Sequence, residues 1–375
     1  MNYITFRPYH SGFVNIIMSY EIAVALSHIT KRTLVLPPKD WILFLSKDSS
    51  VDSYFDIWRL FDKDFVKTQI NCIDYYDVPE FQGKFSDISG DFLFQNNKEF
   101  SYTSHMKKVF GDDCFSYKKN PHKLICEDDL VFTNSENGME DCGKFYSGRR
   151  EIDLVNFDMK FLDFNNNLFG HYWYSVFAGN SKKRNEMKSV VNGCFRYKDE
   201  FYNLAKGVRD KVGEYNSVHV RRNDFLSTQT EGLKSISTPS KIKKSIRRLY
   251  SNKIPLYIST DEKNKKFFDS LKEEYQVYFY EDFNFNLNEL EKIAVEQIIC
   301  SESKTFYGTY LSTFTKRINV MRGIEGKQAN DDYGINTYPI NSVENTSDPF
   351  PWRSTPNKKW EWNSSSYPQW TFEDV

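Results

Sequence analysis

The sequence predicts an α/β protein built from two doubly wound domains that face one another across a cleft. Three observations predict it. The chain opens as strand, loop, helix, strand; from about residue 196 onward strand and helix alternate four times; and 375 residues exceed what one core usually holds, so two domains are the natural division. The expected domains span residues 1–185 and 186–330, followed by a tail over 331–375.

In the first domain, "YITF" is a short apolar strand and "RPYHSGFVN" a loop marked by Pro and Gly. "IIMSYEIAVALSHI" places Ile17, Tyr20, Ala23, Val24 and Ser27 on one helical face. "RTLVLPP" is a buried strand stopped by two prolines, which completes a β-α-β unit and seeds a parallel sheet. Residues 39 to about 150 are aromatic, polar and irregular, with "YFDIWRLFDKDFV" the clearest amphipathic piece. The stretch "FLDFNNNLFGHYWYSVFAGNSKKR" reads as a helix followed by a basic, polar break, and it sets the domain boundary at about residue 185.

The second domain is more regular. "RYKDEFYNLAKGVRDKV" is a helix and "YNSVHV" a strand. "TPSKIKKSIRRLY" is a helix begun by Thr238 and Pro239. "IPLYIST" is a strand, "DEKNKKFFDSLKEEY" a helix and "QVYFYED" a strand. "LNELEKIAVEQIICSES" is an amphipathic helix, "KTFYGT" a strand, and "STFTKRINVMRG" the last helix. From Glu325 the chain is rich in Pro, Asn and Trp without periodicity, a tail with Trp352, Trp360, Trp362 and Trp370 as its apolar anchors.

In an open parallel sheet, ligands bind outside the carboxyl ends of the strands. Three strand ends of the second domain bring polar chemistry there. One carries His219, Arg221, Arg222 and Asp224. The next carries Ser259, Thr260, Asp261 and Glu262. The last carries Gly308, Thr309, Ser312, Thr313 and Phe314 at the opening of a helix. Free N–H groups at a helix start bind phosphate, and Arg adds a bidentate fork for its oxygens. Together these groups describe a pyrophosphate site, with carboxylates suited to a sugar hydroxyl or a purine. Ser312 and Thr313 alone would read as ordinary helix caps, and "HVRR" alone as a salt-bridge cluster; their coincidence at strand ends carries the reading.

Composition removes several function classes. A formal net charge of −1 provides no global field for nucleic acid or an anionic membrane, so any anion site is local. No run approaches the roughly 20 apolar residues of a membrane span, and "MNYITFRPYH" lacks the features of a signal peptide. As written the chain reads as cytoplasmic, with a secretory setting only if a leader has been removed. Six cysteines without any CxxC disfavour a zinc site and leave disulfide pairing within 114–142 open. There is no P-loop, GxGxxG or GxSxG. Asp62 and Asp64 form a literal DxD, read as a solvated helix end rather than a metal ligand pair, and "KIKKSIRR" reads as a solvated face.

"HVRRNDF", "YISTDE" and "VEQIICSESKTFYGTYLSTFTKRI" together resemble the donor-binding half of the GDP-fucose protein O-fucosyltransferases, and "SGFVNIIMSYEIAVALSHITKRTLVLPP" resembles that family's first loop, helix and strand. Residues 70 to 160 match nothing in the family pattern. The resemblance implies two facing Rossmann-like domains in the GT-B arrangement, the first on the acceptor side and the second binding a GDP-sugar. It further implies inverting transfer of fucose from GDP-fucose to an acceptor hydroxyl, on a protein Ser or Thr, without a metal or other cofactor.

The same resemblance assigns residues. Arg221 is the essential arginine on the β-phosphate, and Asn15 faces the phosphates from the first domain. His219, Gly12, Phe13, Asp224, Asp261, Ser312, Thr313 and Phe314 fall on donor-binding positions. Two departures stand out. Glu296 replaces the Asp that grips the nucleoside, and Ser11 occupies the place of a Glu that serves some relatives as base. With no carboxylate to name, the β-phosphate itself, held by Arg221 and Asn15, is the expected proton acceptor. Two other readings stay open from the residues: a fucosyltransferase acting on a glycan, and a GDP-sugar-binding protein without catalysis.

Overall fold

The structure is a computed structural model and describes residues 1–8, 12–38, 40–41, 54–85, 102–116, 131–132, 152–153, 158–168, 190–191, 193–222, 238–309 and 312–324. It divides into two compact units that meet in sequence between Arg196 and Tyr197. The residues on either side explain a break later than 185. Phe195 packs edge-on against Tyr20 and Phe61 of the first unit, with ring centroids 6.3 and 5.7 Å apart. Tyr197 instead donates its hydroxyl to Gln297 Oε1 of the second unit at 2.6 Å.

The first unit contains β1 (Tyr3–Pro8), α1 (Phe13–Thr30), β2 (Thr33–Leu36), α2 (Lys63–Gln69), β3 (Cys72–Asp74), β4 (Cys114–Ser116) and β5 (Phe161–Leu168). Its sheet runs β3-β2-β1-β5-β4 with every neighbour parallel. β1 is therefore central, and the strand order reverses beside it. α1 is buried along nearly its whole length: apolar side chains cover most of its surface, and Asn15, Ser19 and Glu21 are buried with them. Tyr20 of α1 meets Phe6 and Trp58 edge-on at 5.1 and 5.9 Å, which seats the helix against the sheet.

One element corrects the sequence reading. Residues 161–168 form the strand β5 at the heart of the sheet, where a helix was expected. Phe161, Leu162, Asp163 and Phe164 are all buried, so the strand shows none of the in–out alternation that marks a half-exposed one. Asp163 is tolerated because its neighbours across the sheet supply hydroxyls: Thr5 Oγ1 donates at 2.6 Å and Ser116 Oγ at 2.9 Å. Burial pushes its carboxyl well above the usual range, against the opposing pull of those two hydroxyls.

The second unit contains α3 (Asp199–Val212), β6 (Asn216–Val220), α4 (Pro239–Leu249), β7 (Leu256–Thr260), α5 (Asp269–Lys272), β8 (Val277–Tyr278), α6 (Glu289–Glu302), β9 (Phe306–Gly308) and α7 (Thr313–Ile324). Its parallel sheet runs β8-β7-β6-β9. Alternation along β6 separates the two faces. Val218 and Val220 join an apolar layer with Ile242 and Ile246 of α4. Ser217 and His219 turn the other way, Ser217 to Ser303 and His219 to Thr315 of α7. The helix expected over 261–275 is shorter, a 3-10 turn at Lys265–Phe268 leading into one turn of α-helix. The expected strand over 276–282 pairs only at Val277–Tyr278 and then turns at Tyr280–Asp282.

Candidate functional site

The strand order of the second unit reverses between β6 and β9, and that is where an open parallel sheet forms a ligand crevice. The carboxyl end of β6 delivers His219, Arg221 and Arg222, and β9 ends beside it at Gly308, in register with His219. Thr309 ties the two ends together. Its N–H and its hydroxyl both donate to the His219 carbonyl, at 3.0 and 2.9 Å, and its oxygen accepts from the Arg221 N–H at 2.8 Å.

Arg221 leaves the strand partly exposed, with its Nε 3.3 Å from Asp261 Oδ2 at the end of β7. The other Asp261 oxygen accepts the Arg222 backbone N–H at 2.7 Å. Arg222 points elsewhere: its Nε donates to Glu262 at 2.7 Å and its guanidinium lies 3.8 Å from the Phe267 ring centroid. The pair thus divides. Asp261 aims Arg221 into the crevice, and Arg222 braces the loop after β7.

His219 is buried and its Nδ1 lies 2.9 Å from Thr315 Oγ1, with Phe314 stacked on the ring at 4.5 Å. Burial, with the Arg221 charge beside it, lowers its pKa to about 3. The ring is neutral at physiological pH, so the cationic charge of the crevice is arginine's. Gly308 permits this packing: a Cβ there would stand 2.1 Å from Thr315 Cγ2. Ser312 N donates to Thr309 O at 3.3 Å, and Ser312, Thr313 and Phe314 open the 12-residue helix α7 with its N-terminal N–H groups beside the β6 end.

Glu296 lies on α6 against β7, where Tyr257 Oη is 3.4 Å from its Oε1 and Ser259 hydrogen-bonds to it. Burial raises its pKa to about 7. The structure therefore gathers Arg221, His219, Asp261, Glu296, Ser312, Thr313 and Phe314 along one edge of one sheet. Asp224 and Ser11 lie outside the described residues.

In the first unit, β1 ends at the corresponding reversal. Gly12 caps α1, its carbonyl accepting from Asn15 N at 2.9 Å and Ile16 N at 3.3 Å, and Phe13 and Asn15 are buried in the first turn. The literal DxD has a structural explanation: Asp62 caps α2 by accepting the Phe65 N–H at 3.0 Å. Cys114 is a buried free thiol, outside any disulfide. No helix among the described residues is long and apolar enough to cross a membrane. Sequence reasoning missed Thr315 and Phe267. Thr315 had a signal, the last residue of "STFT"; Phe267 had none.

Residues 3–325 match the family model of the GDP-fucose protein O-fucosyltransferases. The chain belongs to that family. It is accordingly a fucosyltransferase that uses GDP-fucose. Among curated relatives, GDP-fucose protein O-fucosyltransferase 2 of Plasmodium berghei is 26% identical over 369 residues, covering 87% of this chain and 72% of the relative. The protein of the same name from Caenorhabditis elegans is 34% identical over 119 residues, 30% of this chain and 27% of the relative. Crystal structures of POFUT1 in complex with GDP-fucose and of NodZ α-1,6-fucosyltransferase soaked with GDP-fucose superpose with TM-scores of 0.47 and 0.42, each at 12% identity. The superpositions cover 88% and 84% of this chain and 95% and 91% of theirs. The family assignment rests on the match over 3–325.

Proposed function

We propose that this O-fucosyltransferase family member inverts the anomeric carbon, works without a metal ion, and places fucose on a Ser or Thr hydroxyl of a protein. The observation that carries the reading is Arg221, held by Asp261 at the β6 end and flanked by the N-terminus of α7. As the bond from fucose C1 to the β-phosphate oxygen breaks, GDP gains negative charge. A guanidinium already fixed in place stabilises that charge most in the transition state. It occupies the role a divalent cation plays in metal-dependent transferases, and the helix N-terminus adds its N–H groups.

The acceptor oxygen forms the new bond to C1 and gives up its proton. The departing phosphate, oriented by Arg221 and, following the family pattern, by Asn15, takes that proton. Neutral His219 contributes Nε2 to the phosphates, its Nδ1 being engaged with Thr315. Asp261 acts through Arg221 rather than on the donor, since both of its oxygens hold the arginine pair.

Calorimetric titration of GDP, GDP-fucose and GDP-mannose into the wild type and Arg221→Ala, with EDTA present, tests the reading. GDP and GDP-fucose should bind in EDTA, and Arg221→Ala should weaken both by about 10- to 100-fold, the worth of a charge-assisted bond. Absence of guanine-nucleotide binding by the wild type would overturn it. Fucose transfer to a folded protein, against hydrolysis alone or transfer to a free glycan, decides the acceptor.

A further inference from the structure

The phosphate contacts leave a second polar cluster unused, two strands along the same sheet edge. Tyr280 follows β8 in its 3-10 turn, with Lys292 Nζ 4.6 Å from its ring centroid and the Phe285 ring at 5.4 Å. Its hydroxyl is buried and has no hydrogen-bond partner among the described residues. Such a group costs on the order of 1–3 kcal/mol, a cost that a ligand acceptor would remove. Burial and the nearby carboxylates of Glu296, Glu289, Glu281 and Glu291 raise its pKa to about 12, so it remains a donor.

Glu296 is the neighbouring acceptor. Around its carboxyl stand Tyr257 and Ser259 of β7, Glu281 from the turn after β8, Lys265 from the loop after β7, and Lys292 on its own helix. Lys265 and Lys292 both reach Glu281, at 3.5 and 3.6 Å. Tyr280 and Arg221 sit at the ends of strands separated by two spacings, roughly 10 Å. That suits a nucleotide with its diphosphate on Arg221 and its base against β8.

We propose that Tyr280 is a specificity-determining residue for the donor base: its hydroxyl donates to O6 of a 6-oxopurine while Glu296 accepts from N1–H and the 2-amino group. Guanine presents that pattern of one acceptor beside two donors. Adenine reverses it at both ring positions, which sets its N1 lone pair against a carboxylate and an amino group against the donating hydroxyl of Tyr280. The cluster thereby selects the purine, as Arg221 selects the phosphates. A donating ligand also draws Glu296 into its ionised form, and a carboxyl poised near neutrality makes that change readily.

The inference rests on the donor-site reading above, and one experiment separates the two. GDP and 6-thioguanosine diphosphate, which keeps N1–H and the 2-amino group but replaces O6 with the weak acceptor sulfur, are titrated into the full chain. The wild type should prefer GDP by about tenfold, and Tyr280→Phe, which keeps the ring and its contacts, should bind the two within about twofold of each other. A preference unchanged in Tyr280→Phe sinks the role of Tyr280 while leaving the donor site standing. A wild type that binds neither nucleotide removes the donor site itself, and this inference with it.

Discussion

The ionisable residues of the crevice carry opposite pH signatures. His219 has its pKa lowered to about 3 by burial and by Arg221. The unfolded chain takes up its proton below about 6.5 while the folded one does not, so His219 contributes stability above that pH and loses it as pH falls toward 3. Glu296, raised to about 7, does the reverse: the folded state holds the proton longer, and stability declines as pH rises from about 4.5 to 7. Donor binding should show the ligand side of the same group. If the base needs the carboxylate, GDP-fucose affinity should fall about tenfold between pH 8 and pH 6, a slope that Glu296→Gln abolishes. GDP-fucose is the right probe because its diester phosphates do not titrate in this range. Arg221→Lys should lose nearly as much transfer activity as Arg221→Ala, since an ammonium cannot hold Asp261 and phosphate in one planar fork; kcat from single-turnover assays checks it.

At the scale of elements, the site depends on two close fits around α7. The first is Gly308 against Thr315. Both Cβ and Cγ2 of Thr315 stand within 2.7 Å of where an alanine Cβ would be, so Gly308→Ala must move β9 and α7 apart. A loss of roughly 1–3 kcal/mol in urea unfolding is expected, together with weaker GDP binding as the His219–Thr315 contact opens. The second is Arg322 near the C-terminus of α7. Buried, it donates to the carbonyls of Ser301 at 2.9 Å, Ser303 at 2.7 Å and Lys304 at 3.1 Å, and so satisfies the end of α6. Arg322→Met should cost about 3 kcal/mol in the same assay, because buried carbonyls would lose their donor.

For the whole molecule, the testable statement is that transfer needs only the chain and two substrates. Fucose transfer from GDP-fucose should proceed at the same rate after exhaustive EDTA treatment and gain nothing from added Mg²⁺ or Mn²⁺. Loss of activity on chelation, restored by one metal, would overturn the assignment of the charge-stabilising role to Arg221. GDP at about 100 times its Kd should raise the stability of the unit that binds it by roughly 2.7 kcal/mol, and Arg221→Ala should lose most of that shift.

Local signals sufficed wherever the chemistry follows the chain. The β-α-β opening, the alternation from α3 to α7, and the strand ends bearing His219, Arg221, Asp261 and Ser312 were legible because short apolar runs, helix starts and turn residues are properties of consecutive residues. The family resemblance added Asn15 and Glu296. Tertiary structure alone decided the rest. Residues 161–168 became a strand because β1 and β4 flank them as parallel partners, and residues 158 and 47 positions away supplied hydroxyls for Asp163. Asp261 met Arg221 because β6 and β7 lie side by side. Thr315 reached His219 only when α7 met β6, and Tyr280 came to lie against Lys292 only when the turn after β8 met α6. Each of these depends on which distant atoms share a buried, low-dielectric space. Burial determines whether a carboxyl is charged and whether a hydroxyl finds a partner, and no consecutive stretch of sequence encodes it.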